Sequence, residues 1–266
     1  MKGRVLIIAG SDPSGGAGIQ ADIKTVTALG GYAATAITAL TVQNTKGVQA
    51  VHPVSLDIIR AQIDAVMSDI GADSIKIGMI GDVATANMIG EFLASLDPDI
   101  DVVLDPVLAA TSGDALASDG VAMVIRDDLM QRARVITPNS EELAVLSGQA
   151  VSNETEMVEA ASVLISRGAP AVLAKGGHLG GSEVTDVLVE PGERHRFSHP
   201  RIDTTSTHGT GCTLASAVAT GLAQKLSLPA AVRAATDYVH KAIALAPGFG
   251  AGHGPLDHAH TTRPAQ

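Results

Sequence analysis

Cysteine is all but missing from this chain. Cys212 is the only one in 266 residues, which excludes an internal disulfide framework and any cysteine-rich zinc site. Aromatic residues are nearly as scarce, with no tryptophan, two tyrosines and three phenylalanines, so rows of base-stacking rings are not expected. Basic residues are outnumbered, 18 lysines and arginines against 28 acids, for a net charge of −10. Such a field repels phosphate backbones and anionic lipid alike, so neither nucleic acid nor a membrane is an expected partner. A small anionic substrate remains compatible, because a local site can oppose the global field. The N-terminal apolar run, 5–9, has the length of a strand and is too short for a membrane span or an export signal. A cytoplasmic location is therefore expected.

What the chain has in abundance is Ala, Val, Ile and Leu; apolar residues make up 45% of it and charged ones 17%, a core-forming composition. Short apolar runs at 4–9, 33–40, 74–79, 101–105, 134–137 and 171–175 suit parallel strands buried on both faces. Between them the apolar spacing turns helical. Across 55–70, Leu56, Ile59, Ile63, Val66, Met67 and Ile70 recur at steps of three and four. Similar helices are expected near 17–29, 82–96, 119–132, 140–147, 154–167, 211–225 and 229–246. The alternation predicts a central, mostly parallel sheet with helices on both faces. Residues 184–199, turning at Pro191-Gly192, read as a hairpin or sheet-edge extension. No linker or repeat interrupts the pattern, so residues 1–266 read as one domain, with 251–266 as a partly frayed tail.

In open parallel sheets ligands gather beyond the carboxyl ends of the strands, which selects 10–18, 41–44, Asp105, 138–142 and 175–178, and the glycine-rich stretch 207–213 stands out beside them. Gly10-Ser-Asp-Pro-Ser-Gly-Gly-Ala-Gly18 leaves a strand and enters a helix; it matches neither GxxxxGK[ST] nor GxGxxG, and a plain tight turn is its alternative. Thr207-His-Gly-Thr-Gly-Cys-Thr213 precedes an Ala-rich helix, so its amides would gather at a positive helix end and seat an anion. Cys212 would lie in the first turn of that helix, where the dipole is expected to lower a thiol pKa; a small buried filler is the alternative. Thr137-Pro-Asn-Ser-Glu-Glu142 sets Asn139 and Glu142 one turn apart, both able to reach a hydrated magnesium ion, although by itself this spacing better fits a capping box. Asp105 adds a carboxylate at another strand end. Lys175-Gly-Gly-His178 offers a point charge for phosphates, or merely a solvated lysine. Gln43 can present a donor and an acceptor side by side to an aminopyrimidine edge, or cap a backbone group. The histidines 253, 258 and 260, in an expected loose tail, are not read as a metal site.

Taken together, these stretches, with Thr38-Ala-Leu-Thr-Val-Gln-Asn-Thr45, Lys76-Ile-Gly-Met79 and Leu104-Asp-Pro-Val107, fall in the order of a known family. From about residue 4 to 255 the chain resembles the hydroxymethylpyrimidine/phosphomethylpyrimidine kinases of the ribokinase superfamily. The resemblance implies a ribokinase-like three-layer α/β/α sandwich, ATP and magnesium as cofactors, and two successive phosphorylations of 4-amino-5-hydroxymethyl-2-methylpyrimidine in thiamine biosynthesis. By the same match Gly10, Asp22, Gln43, Met79 and Val107 line the pyrimidine pocket. Asp105 and Glu142 go with the metal, and Lys175, Asn139 and Thr210 with the nucleotide. Gly209, Gly211 and Cys212 correspond to the anion hole and base, and a homodimer is the expected assembly. One departure is Ala110-Thr-Ser-Gly113, where many members carry Ala-Lys-Ser-Gly; Thr111 cannot supply the lysine's charge. The nearest alternative is a pyridoxal kinase, whose substrate also bears a ring hydroxymethyl. A silent pyrimidine-binding sensor would be expected to have lost Cys212, Lys175 or the Asn139/Glu142 pair, all of which are present.

Overall fold

The computed structural model describes residues 2–110, 112–114 and 116–262. Strand β1 (Arg4–Ser11) is buried at six consecutive positions, as a strand covered on both faces must be. Its alternate side chains enter two separate cores: Leu6 and Ile8 join one, Val5 and Ile7 the other. The remaining strands are β2 (Tyr32–Asn44), β3 (Gly47–Pro53), β4 (Ser74–Ile77), β5 (Asp101–Leu104), β6 (Val135–Ile136), β7 (Val172–Ala174), β8 (Glu183–Glu190) and β9 (Glu193–Pro200). They form one sheet in the order β3-β2-β1-β4-β5-β6-β7-β8-β9. Strands β2 to β7 along that order pair in parallel, while β3, β8 and β9 join antiparallel.

Helices α1 (Gly18–Ala28), α8 (Thr210–Ala223) and α9 (Leu228–Ala244) cover the face that carries Val5, Ile7 and Val103. On the other face lie α2 (Leu56–Asp69), α3 (Val83–Ala94), α4 (Val121–Val124), α5 (Met130–Arg132), α6 (Ser140–Ser147) and α7 (Glu154–Ser166). The result is a three-layer α/β/α fold of the ribokinase-like class. No helix among the described residues is long and apolar enough to cross a membrane.

Three features differ from the sequence reading. Strand β2 continues to Asn44 and turns into β3, which was not expected; β3 is an exposed edge strand with Gln49, His52 and Pro53, and at an edge neither apolar alternation nor a full set of N–H donors is required. The helix expected over 119–132 is interrupted by a π-helical turn, Ile125–Leu129. The described part of the tail is not frayed. Leu256 and His258 are buried, the Tyr238 hydroxyl donates to the His258 carbonyl at 2.8 Å, and the Asp257 N–H donates to the Ala242 carbonyl.

Candidate active site

Residues from the carboxyl ends of β1, β5 and β7, the β2 arm and the start of α8 line one cleft of about 690 Å³. Its floor is set by the interlocking of the two glycine-rich stretches. Gly209, the N-cap of α8, has φ +78°, and a Cβ there would sit 1.8 Å from the Gly16 carbonyl oxygen. Only glycine permits both the left-handed backbone and that approach. The same junction is stitched by a buried pair that the sequence reading missed, His208 Nε2 to Asp12 Oδ2 at 2.8 Å. Asp12 also accepts from the Ser14 N–H and hydroxyl and from the Ala17 N–H. Burial raises its carboxyl, but the His208, Ser14 and Ala17 bonds prevail and hold it down at about 2.

Above this junction α8 opens with Thr210, Gly211 and Cys212, all facing the cleft together with Gly209. Thr210 turns its hydroxyl back onto the Thr207 carbonyl at 2.8 Å, which fixes the turn. The following amides belong to a helix start, where N–H groups lack earlier carbonyl partners and the dipole is positive. The expectation of a lowered Cys212 pKa is overturned. Burial pushes the thiol up to about 11, with Asp22 and Asp105 adding to the rise, against the pull of Lys76 and of the Gly18 backbone. Desolvation outweighs the dipole here, so the resting group is a neutral thiol.

A buried charge cluster flanks the helix start. Asp105, just past β5, accepts at Oδ1 from the Thr137 hydroxyl and the Lys175 ammonium, each at 3.0 Å. Lys175 Nζ also lies 3.9 Å from Glu142 Oε2. Burial lowers the lysine's pKa, but Asp105 and Glu142 outweigh it and the pKa is raised, so the ammonium persists; the solvated-lysine alternative fails. Asn139 and Glu142 do form the capping box of α6. The Asn139 side chain accepts from the Glu141 and Glu142 N–H groups, and Glu142 Oε2 accepts from the Asn139 N–H at 2.8 Å. Even so, both line the cleft. Burial raises the Glu142 carboxyl to about 7, against Lys175 and with help from Asp105. Asp186 on β8, another lining residue the sequence reading missed, is pushed up to about 6 by burial while accepting from the Gly176 N–H at 2.9 Å.

At the β1–β2 end stand Gly10, Gln43, Met79 and Val107. Gly10 lies against the Met79 sulfur. The Thr41 hydroxyl donates to Gln43 Oε1 at 3.2 Å and to the Ser11 carbonyl at 3.1 Å. Among the described residues the Gln43 amide nitrogen caps no backbone group. Asp22 is the correction: it is fully buried, does not line the cleft, and is held by Lys76 Nζ at 2.9 and 3.0 Å and by the Ser216 hydroxyl at 2.7 Å. Lys76, its partner, itself lines the cleft. Thr111 lies outside the described residues. Of the three tail histidines, His253 is hydrogen-bonded to Thr207, His258 to Thr213 and His260 to the Tyr238 carbonyl.

A helix start able to seat an anion, a lysine between two carboxylates and an amide-bearing pocket, on this sheet, define a small-molecule kinase of the ribokinase-like fold. The family model for phosphomethylpyrimidine kinase matches residues 12–257, and the chain belongs to that family. It is 46% identical over 258 residues to the hydroxymethylpyrimidine/phosphomethylpyrimidine kinase of Rhizobium meliloti strain 1021, covering 96% of each chain. Among solved structures it matches Staphylococcus aureus pyridoxal kinase in complex with AMP-PCP and pyridoxal, with a TM-score of 0.89 and 31% identity over 99% of this chain and 96% of that one. It also matches the phosphomethylpyrimidine kinase of Clostridium difficile 630, with a TM-score of 0.80 and 38% identity over 91% and 100% of the two chains.

Proposed function

We infer that this chain uses ATP to phosphorylate 4-amino-5-hydroxymethyl-2-methylpyrimidine, and then its monophosphate to the diphosphate, in thiamine biosynthesis. The observation that carries the reading is one cleft holding both Gln43 and the Gly209–Cys212 turn. Gln43, anchored through Oε1 by Thr41, keeps a donor and an acceptor lone pair for the aminopyrimidine edge. Gly10, Met79 and Val107 confine the ring. The amides of Gly211 and Cys212 stabilise negative charge on the phosphoryl group in flight, with Thr210 holding the turn and Lys175 neutralising nucleotide phosphates. Cys212, in its thiolate form, receives the hydroxymethyl proton and becomes the neutral thiol.

The acidic pair suits a hard cation. Two buried carboxylates, Asp105 and Glu142, share one ammonium, and the Glu142 carboxyl, raised by burial first and by Asp105 next, would be drawn to its charged form by a divalent ion. Asp105 and Glu142, with Asn139 beside them, would hold magnesium, which supplies charge neutralisation on the triphosphate. We place the enzyme in the cytoplasm as a single kinase domain. We further propose that it is a homodimer joined through the outer face of β2, where Leu40 and Val42 are 51% and 46% exposed.

An ATP-consumption assay across candidate alcohols, with phosphorus NMR to count the phosphates added, tests the reading. Two phosphates on the pyrimidine are expected; turnover of pyridoxal without the pyrimidine would overturn it. Likeness to pyridoxal kinases of known structure keeps pyridoxal as the second substrate to assay.

A further inference from the structure

The sheet carries a lysine where an apolar residue is expected. Strand pairing places Lys76 in a row with Ile7 and Val103, all 0% exposed and on the face covered by α1 and α8. An ammonium in such a layer is costly to desolvate, and an apolar residue of similar volume would serve stability as well or better. The surroundings are built around it. Both Asp22 oxygens accept from Nζ, and Ser216 adds a hydroxyl to Oδ1 at 2.7 Å. A Cβ on Gly78 would come 2.7 Å from Nζ, so the Lys76-Ile-Gly-Met79 stretch leaves room for the ammonium. Ser216 and Cys212 are four residues apart on α8, hence on one face of that helix, one turn above the other.

We propose that Lys76, which lines the same cleft as Cys212 and is paired with Asp22, is a positioning residue for Cys212: through Asp22 and Ser216 it ties α8 to the sheet one turn beyond the sulfur, and it supplies the positive charge that makes the sulfur a competent proton acceptor. The inference rests on the reading of Cys212 as the base. It also gives Asp22 a role that its burial denies it in the substrate pocket. The charged groups acting on the sulfur are Asp22 from α1, Lys76 from β4, Asp105 after β5 and Lys175 after β7. Lys76 is the leading cation among them and Asp22 the leading anion. Their removal therefore moves the thiol in opposite directions, which loss of packing alone would not do.

Because Cys212 is the only cysteine, the pH dependence of its alkylation by iodoacetamide reports the sulfur without reference to turnover. In Lys76→Met the alkylation midpoint should rise by about one pH unit, and in Asp22→Asn it should fall by a smaller amount. The first phosphorylation by Lys76→Met should drop at least about tenfold, with the second within a few-fold, as for loss of part of a base's function. Should either single variant fail to fold, the double variant Asp22→Asn/Lys76→Met removes both charges, and its midpoint should still rise, by less. Midpoints that do not move, or that move the same way in both single variants, overturn the proposal. Midpoints that move as expected while Cys212→Ala keeps full first-step activity sustain the charge role of Lys76 and dismiss Cys212 as the base.

Discussion

At Cys212 two effects oppose each other: a helix start that favours a thiolate and a buried setting that does not, and burial prevails, leaving the pKa at about 11. A neutral resting thiol acts as a base only through its minor thiolate fraction, which grows as pH rises toward that value. The first phosphorylation should therefore accelerate with pH up to the limit of stability. The second, whose nucleophile is already an ionised phosphate, should show no such rise; separate initial-rate profiles with the alcohol and the monophosphate make the comparison. Cys212→Ala should cut the first step by about 10²–10⁴-fold, the usual worth of a general base, and leave the second within several-fold. Equal losses in both steps would remove the base assignment. Lys175→Met, by contrast, should depress both steps, because its charge faces the nucleotide in each. The residues most legible in the sequence were those with short-range grammar, such as the Gly-Thr-Gly-Cys turn. The Asp12–His208 pair was not: each partner lies in a glycine-rich stretch that stands out, but they are 196 positions apart and nothing local in either stretch marks the pairing. Asp22 was misplaced because a motif shows that a carboxylate is present, not that a lysine from β4 holds it inside the core.

Elements, not single side chains, hold the anion seat in shape. The N-cap of α8 rests on the loop before α1 with no space for a methyl group, a Cβ at Gly209 falling 1.8 Å from the Gly16 carbonyl oxygen. Gly209→Ala should therefore abolish both phosphorylations and lower the melting temperature. Gly180→Ala, where a Cβ meets nothing within 4 Å, should leave both within a few-fold; equal behaviour of the two variants would contradict the interlock. The chain's end braces α8 from the other side. His258, buried by the tail's return, has Nε2 3.0 Å from the Thr213 hydroxyl oxygen, and burial, with Lys24 nearby, pulls its pKa from 6.5 to about 4. The folded imidazole resists protonation where the unfolded one accepts it, so stability is lost as pH falls from 6.5 toward 4. The loss reaches about 2 kcal/mol by pH 5. Glu142 and Asp186, whose carboxyls burial raises to about 7 and about 6, act in the opposite sense over the same interval. The His258 share is therefore read as the difference between wild type and His258→Gln in urea unfolding at pH 7.5 and 5. Strands buried on both faces and helices with regular apolar spacing were readable beforehand. The β3 edge and the packed tail were not, since an edge strand needs no apolar alternation and a Gly-, His- and Pro-rich tail acquires order only from the surface it meets.

The nine-stranded order places every parallel strand end on one rim, and that arrangement, foreseen from the β-α alternation, is why stretches far apart in sequence meet in one cleft. The antiparallel arm β2–β3 departs from this plan and joins two functions. Thr41 and Gln43 line the cleft, while Leu40 and Val42, pointing the other way by the alternation of the strand, are 51% and 46% exposed. A second copy packed on that outer face would bury the apolar pair and steady the strand that carries Gln43. Sedimentation velocity should accordingly find two chains per particle, and Leu40→Arg/Val42→Arg should give monomers, because opposed arginines repel and resist burial. The dissociated variant should keep its fold by circular dichroism yet show a raised KM for the pyrimidine, with the KM for ATP nearly unchanged, since the arm touches only the substrate end. A wild-type protein that sediments as one chain at micromolar concentration would refute the dimer. A monomeric variant with an unaltered pyrimidine KM would leave the assembly standing but separate it from the holding of Gln43.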